Sequence, residues 1–118
     1  MKNPVLALAA LLVAAPLAAQ DVPAVQLSLE QRMLLRCSAA FAMVAHGQDI
    51  GNAEALEYPP MEERGREFFV RASARIMDET GMTIEQLTTV LEAEAQDLWD
   101  NQQLDQMMPV CLPLLPAE

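Results

Sequence analysis

Positive charge is scarce in this chain. Seven Lys and Arg stand against 17 Asp and Glu, a formal net charge of −10 over 118 residues. Nucleic acids and anionic membrane surfaces are held by cationic faces, so this balance argues against both as partners. Histidine occurs once, as His46, and no nucleophile motif accompanies it. A Gly-x-Ser-x-Gly elbow, a His-Glu-x-x-His pair and a Gly-rich phosphate loop are all missing from the sequence. EF-hand spacing is also missing, so the acidic residues read as solubilising. No segment alternates apolar and polar residues as a half-buried strand does, and no internal repeat is present. Beyond residue 19 no apolar run approaches the roughly 20 residues needed to span a bilayer. These absences point to a non-catalytic, helical protein with no cofactor.

What is present begins at the N-terminus. Lys2 supplies a positive start, Val5 to Ala15 is an unbroken apolar run, and Leu17-Ala18-Ala19 offers small residues for cleavage. The apolar run is short for a membrane span, is broken by Pro16, and ends at Gln20 and Asp21. Residues 1–19 therefore read as a cleaved signal peptide rather than a retained anchor. No cysteine near the cleavage region offers a lipid attachment point, and no twin-arginine pair precedes the apolar run, so ordinary export to the periplasm is expected. Residues 20–27 read as a tether and residues 28–118 as one helical domain. Lys2 is the only lysine, so every basic residue of the mature chain is arginine. In an oxidising compartment the only two cysteines, Cys37 and Cys111, are expected to pair, the alternative being two buried thiols. A bridge over so long a loop contributes roughly 4–5 kcal/mol in the chain-entropy description.

Helical punctuation is clear along the mature chain. Ser28-Leu29-Glu30-Gln31 matches a capping box, followed by an apolar stripe at Met33, Cys37, Ala40, Phe41 and Val44, with Gly47 as the expected stop. Gln48 to Tyr58 reads as a connector with a helical turn near Asn52–Leu56, closed by Pro59-Pro60. A second helix is expected over Pro60–Thr80, with Met61, Gly65, Phe68, Phe69, Ala72 and Ile76 on one arc and Gly81 beyond its end. A second capping box, Thr83-Ile84-Glu85-Gln86, opens a third helix with Ile84, Leu87, Leu91, Ala95 and Leu98 as its stripe. Asp100 or Asn101 is expected to cap a last segment through Met108, where Pro109 breaks or kinks it. The fold class is all-α, a small three-to-four-helix bundle stapled by one disulfide.

Three constellations carry candidate chemistry. Met43 and His46 lie at helical i,i+3 spacing and offer soft ligands of the kind that suit Cu(I). Met107 and Met108, with Trp99, offer an adaptable apolar surface for a partner protein. Arg64, Arg71 and Arg75 fall on one line of the second helix and suit an anion such as carboxylate or phosphate. Each has an ordinary structural alternative: core filling for the methionines, a surface position in a last helical turn for His46, and a solvated ion-paired face for the arginines.

Arg36-Cys37-Ser38-Ala39-Ala40-Phe41, Glu63-Arg64-Gly65-Arg66-Glu67-Phe68-Phe69 and Met108-Pro109-Val110-Cys111-Leu112 together resemble small exported helical proteins of alphaproteobacteria. That resemblance covers most of the mature chain and brings no activity with it. In architecture the chain is also similar to acid-stress periplasmic chaperones of the HdeA type, which are small, helical and held by one disulfide. It departs from them in its longer inter-cysteine segment and its lack of lysine after the leader. The expected function is binding to another periplasmic protein. The alternatives are an acid-stress chaperone, whose carboxylates lose their charge near pH ~4, and a copper carrier using Met43 and His46.

Overall fold

The computed structural model describes residues 25–117, so the expected signal peptide and the first part of the tether lie outside the described residues. Helix α1 spans Leu29–Asp49, the one-turn α2 Ala53–Leu56, α3 Glu62–Thr80, α4 Ile84–Asp100 and α5 Leu104–Cys111, followed by a 3-10 turn at Leu112–Leu114. No strand occurs among the described residues, and the all-α reading holds.

Both capping boxes form. The Gln31 backbone N–H donates to Ser28 Oγ at 3.1 Å, while Gln31 Oε1 accepts from the Ser28 N–H at 2.9 Å. Thr83 and Gln86 repeat the exchange at 3.2 and 2.9 Å. Each box satisfies two of the backbone donors that a helix start leaves without partners. Asn52 likewise caps α2 by accepting from the Ala55 N–H at 3.0 Å. At the far end of α3, Gly81 takes the left-handed conformation expected of it, with φ 71°.

Gly47 does not stop α1. The helix runs on to Asp49 and turns at Gly51, whose φ is 76°. Gly47 has a different task, because a Cβ placed on it falls only 2.7 Å from the Ala55 Cβ. Its bare backbone is what lets α2 fold back onto α1. A glycine inside a helix ordinarily gains about 1 kcal/mol on replacement by alanine. Here Gly47→Ala is expected to lose about 1–3 kcal/mol through the forced contact. The loss should vanish in an Ala55→Gly background, and urea unfolding midpoints of the single and double variants check this.

The last helix also departs from expectation. Asn101 caps no helix start; its Nδ2 donates to the Asp97 carbonyl at 3.1 Å and closes α4. Gln102 then takes φ 52°, and α5 begins at Leu104 without a side-chain cap. Pro109 lies inside α5 and does not end it at Met108. The proline lacks the N–H that would reach the Asp105 carbonyl, but both residues are exposed, so water can serve that carbonyl. What keeps α5 helical beyond the proline is burial of Met108 and Cys111, both fully inaccessible.

The core has two parts. The larger gathers around the Cys37–Cys111 bridge, with Phe41, Val44, Met61, Phe68, Leu98 and Met108. Phe41 and Phe68 meet edge to face, with ring centroids 5.1 Å apart. The smaller part, Leu35, Ile76, Met82 and Leu87, seals the turn between α3 and α4. Ile84, placed on the core stripe by its spacing, is 49% exposed because it lies at the helix start beyond that seal.

Candidate functional site

Helices α3 and α4 both pack along α1 but make little contact with each other. They leave the Gly81–Thr83 turn together and then follow different flanks of α1. Ties to α1 hold each one in place. Arg36 donates to Glu94 at 2.7 Å and to Asp97 at 2.8 Å, fixing α4. Arg75 pairs with Glu30 at 2.9 Å, and Gln31 Nε2 donates to Glu79 at 2.9 Å, fixing α3. Burial alone would lower the basicity of Arg36, but its bonds to Glu94 and Asp97 outweigh that and raise it.

The result is a wedge-shaped groove of about 650 Å³ between α3 and α4, floored by α1. Ser38, Ala39, Ala42 and Ala45 form the floor; Gly65 and Phe69 line the α3 wall, Leu91 and Ala95 the α4 wall. Ala42 is exposed at the bottom of the opening. A second hollow of about 380 Å³ adjoins it, sharing Met43 and His46 as common walls and reaching Ile50, Tyr58, Trp99 and Leu104. Trp99 stands at this end with 73% of its surface exposed.

The far wall is held by α2 and its flanks. Gln48 Nε2 donates to the carbonyls of Ala55, Tyr58 and Pro59, and its Oε1 accepts from the Met61 N–H at 3.0 Å. Tyr58 donates its hydroxyl to Asp105 at 2.8 Å, joining this loop to α5. Burial, with the acceptor carboxylate next, pushes the Tyr58 phenol up to about 12. A raised folded value means the contribution to stability is complete below pH ~10 and is lost as pH rises through about 12. Tyr58 is the only tyrosine, so the phenolate absorbance of the native protein should titrate near 12, against about 10 in the unfolded chain. A native midpoint at the ordinary tyrosine value contradicts this tie.

The residues singled out by sequence are distributed as follows. Cys37 and Cys111 are joined, with Cα atoms 5.3 Å apart. Met108 is fully buried and Met107 half-buried against the same core, so the pair does not form the exposed surface expected of it. The short α5 must bury that side to hold its place. Trp99 is exposed, as that surface requires. The arginine line does not converge. Arg64 donates from Nε and a terminal nitrogen to the Pro116 carbonyl, Arg71 pairs with Glu67, and Arg75 with Glu30 and Glu79. Met43 is half-buried and His46 exposed, and both border the two hollows. Among the described residues no three His, Cys, Asp or Glu side chains gather as a metal-binding group.

Sequence reasoning missed the groove itself. Phe69, Leu91 and Ala95 read as core from their periodicity, yet each is only half-buried. One signal was available: Ser38, Ala42 and Ala45 repeat at i, i+4 and i+7, a strip of small residues beside the large-residue stripe of α1. Among the described residues no helix is long and apolar enough to cross a membrane. No family model matches the chain, and neither does any curated protein or solved structure.

Proposed function

We infer that this is an exported, non-catalytic protein of the periplasm that works by seating a segment of a partner protein in the groove between α3 and α4. The observation that carries the reading is the wedge: two helices tied separately to α1, with an apolar floor left open between them. Along α1 the two hollows run from Ser38 to Ile50, about 18 Å at the helical rise, which suits about three turns of a docked helix. Small-molecule sites usually enclose their ligand and set a few polar groups against it, whereas here the floor is apolar and charge lies at the rim. The N-terminal signal pattern and the disulfide support the compartment.

The test is recovery of a partner from the native envelope by the tagged, oxidised protein, beside two variants. Ala42→Arg fills the floor, and its exposed helical position tolerates arginine. Val70→Arg changes an exposed site on α3 that lines neither hollow. Recovery of one stoichiometric partner by the parent and Val70→Arg, but not by Ala42→Arg, is expected. An empty bait, or equal recovery with Ala42→Arg, overturns the reading.

A second reading, an acid-triggered chaperone, is favoured by the chemistry of the interhelical ties. Arg36 holds α4 through Glu94 and Asp97, and Arg75 with Gln31 holds α3 through Glu30 and Glu79. Hydrogen bonding from Arg75, then from Gln31, keeps the Glu79 carboxyl below its usual range. A depressed folded value contributes stability above the ordinary carboxylate pKa of about 4.3 and loses it as pH falls through the folded value. Acid therefore weakens the Glu79 contacts and, with them, the Gln31 tie that joins α3 to α1. Suppression of client aggregation rising below pH ~4 supports this reading, and no protection from neutral pH down to about 2 rejects it.

A further inference from the structure

Charge is sorted around the two hollows. Their charged lining residues are Glu62, Glu92, Glu54 and Asp105, with Arg66 as the one cation. Arg66 is itself paired with Glu62 at 3.4 Å. The other arginines of the chain line neither hollow. Arg32 and Arg36 lie in a cleft on another flank of α1 beside Glu94 and Asp97. Arg64 turns to the C-terminal Pro116, and Arg71 and Arg75 pair with carboxylates as described above. The groove is thus an apolar floor with a net acidic border: Glu62 is shared with Arg66 on the α3 wall, and Glu92, Glu54 and Asp105 are its other charges.

We propose that the occupant of this groove is a cationic amphipathic helix of another protein, its apolar stripe on the Ala42 floor and its flanking Lys or Arg side chains at Glu62, Glu92, Glu54 and Asp105. The proposal rests on the groove reading above and adds the chemistry of the partner. A docked helix presents residues on both flanks of its apolar stripe, so it can meet carboxylates on both walls at once. The pairing favours encounter and orientation, and its cost is low because the rim charges remain wet. A second copy of this chain is the wrong occupant on the same grounds. It would bring one acidic border, and a net charge of −10, against another.

Trp99 is the only tryptophan and stands at the end of the trough, so its fluorescence reports occupancy without a label. The probe is a synthetic helical peptide of about 18 residues, roughly five turns, with leucine at i, i+3, i+4 and i+7 spacing and lysine elsewhere. Its counterpart carries glutamate in place of lysine. Saturable binding of the lysine peptide to the oxidised protein is expected, about tenfold tighter than the glutamate peptide, and weakening about tenfold between low and high salt. Glu62→Gln with Glu92→Gln should cost about tenfold and flatten the salt dependence, and Ala42→Arg should abolish binding, with helical circular dichroism unchanged in both. If the glutamate peptide binds equally well and Ala42→Arg still blocks it, the groove reading stands and the cationic occupant is overturned. If neither peptide shifts Trp99, or Ala42→Arg leaves binding intact, both fall. A concentration-dependent dimer lost in Ala42→Arg overturns the cationic helix in favour of a second copy.

Discussion

Replacing both cysteines, Cys37→Ala with Cys111→Ala, is expected to lower the unfolding free energy by about 5 kcal/mol. The bridge spans a sequence separation of 74 and holds α5 against the middle of α1. In the chain-entropy description a loop of this length contributes roughly 4–5 kcal/mol by restricting the unfolded chain, and loss of burial adds to that. Helix α5 has little to keep it in place otherwise. It has eight residues, no side-chain cap and an internal proline. Isolated helices below about 12–15 residues are marginal in water even with good formers. Small domains have only about 5–15 kcal/mol in all, so the variant stands close to unfolding at room temperature. Urea titration followed by circular dichroism measures the effect. A drop below about 1 kcal/mol contradicts the view that the bridge, rather than packing alone, holds α5.

The parts of this fold that were legible from sequence are those fixed by local chemistry. Ser28 with Gln31 and Thr83 with Gln86 announce helix starts because the side chains satisfy neighbouring backbone groups, and both boxes form. Gly81 follows the same logic at a helix end. The errors fall where a distant contact decides. Gly47 is a stop by local rules, but its role is to admit Ala55, eight residues on. Asn101 is a cap by type, yet it closes the preceding helix rather than opening the next.

The groove was illegible for a related reason. Apolar periodicity shows which side of a helix turns inward, but not whether two neighbouring helices close over that side. Phe69, Leu91 and Ala95 lie on inward-facing stripes of α3 and α4, and the opening arises because those helices pack on separate flanks of α1, where the Arg36 and Arg75 ties also join them to it. Those ties join residues about 45 to 60 positions apart in sequence, as with Arg75 to Glu30 and Arg36 to Glu94 and Asp97, a range over which no periodicity reports. The same blindness let Met107-Met108 pass for a surface: a methionine pair beside a proline carries no mark of which side α5 turns to the core.

Met108→Asp is accordingly expected to abolish folding, whereas Trp99→Ala leaves the fold intact. Met108 has no accessible surface and packs in the same cluster as the disulfide, Phe41, Phe68 and Leu98. Removing a buried methionine costs about 2–5 kcal/mol. An aspartate there adds the penalty of an unpaired carboxylate, of several kcal/mol more, or holds its proton and leaves a polar group without a partner. Together these exceed what the bridge contributes and approach the whole stability of a small domain. Trp99 is 73% exposed, so its truncation removes little buried area. The contrast separates fold from function. Met108→Asp should show no cooperative urea transition, and its loss of partner binding says nothing about an interface. Trp99→Ala should keep the parental unfolding midpoint and weaken capture of the lysine peptide, now followed by calorimetry. A cooperatively folded Met108→Asp protein contradicts the placement of α5.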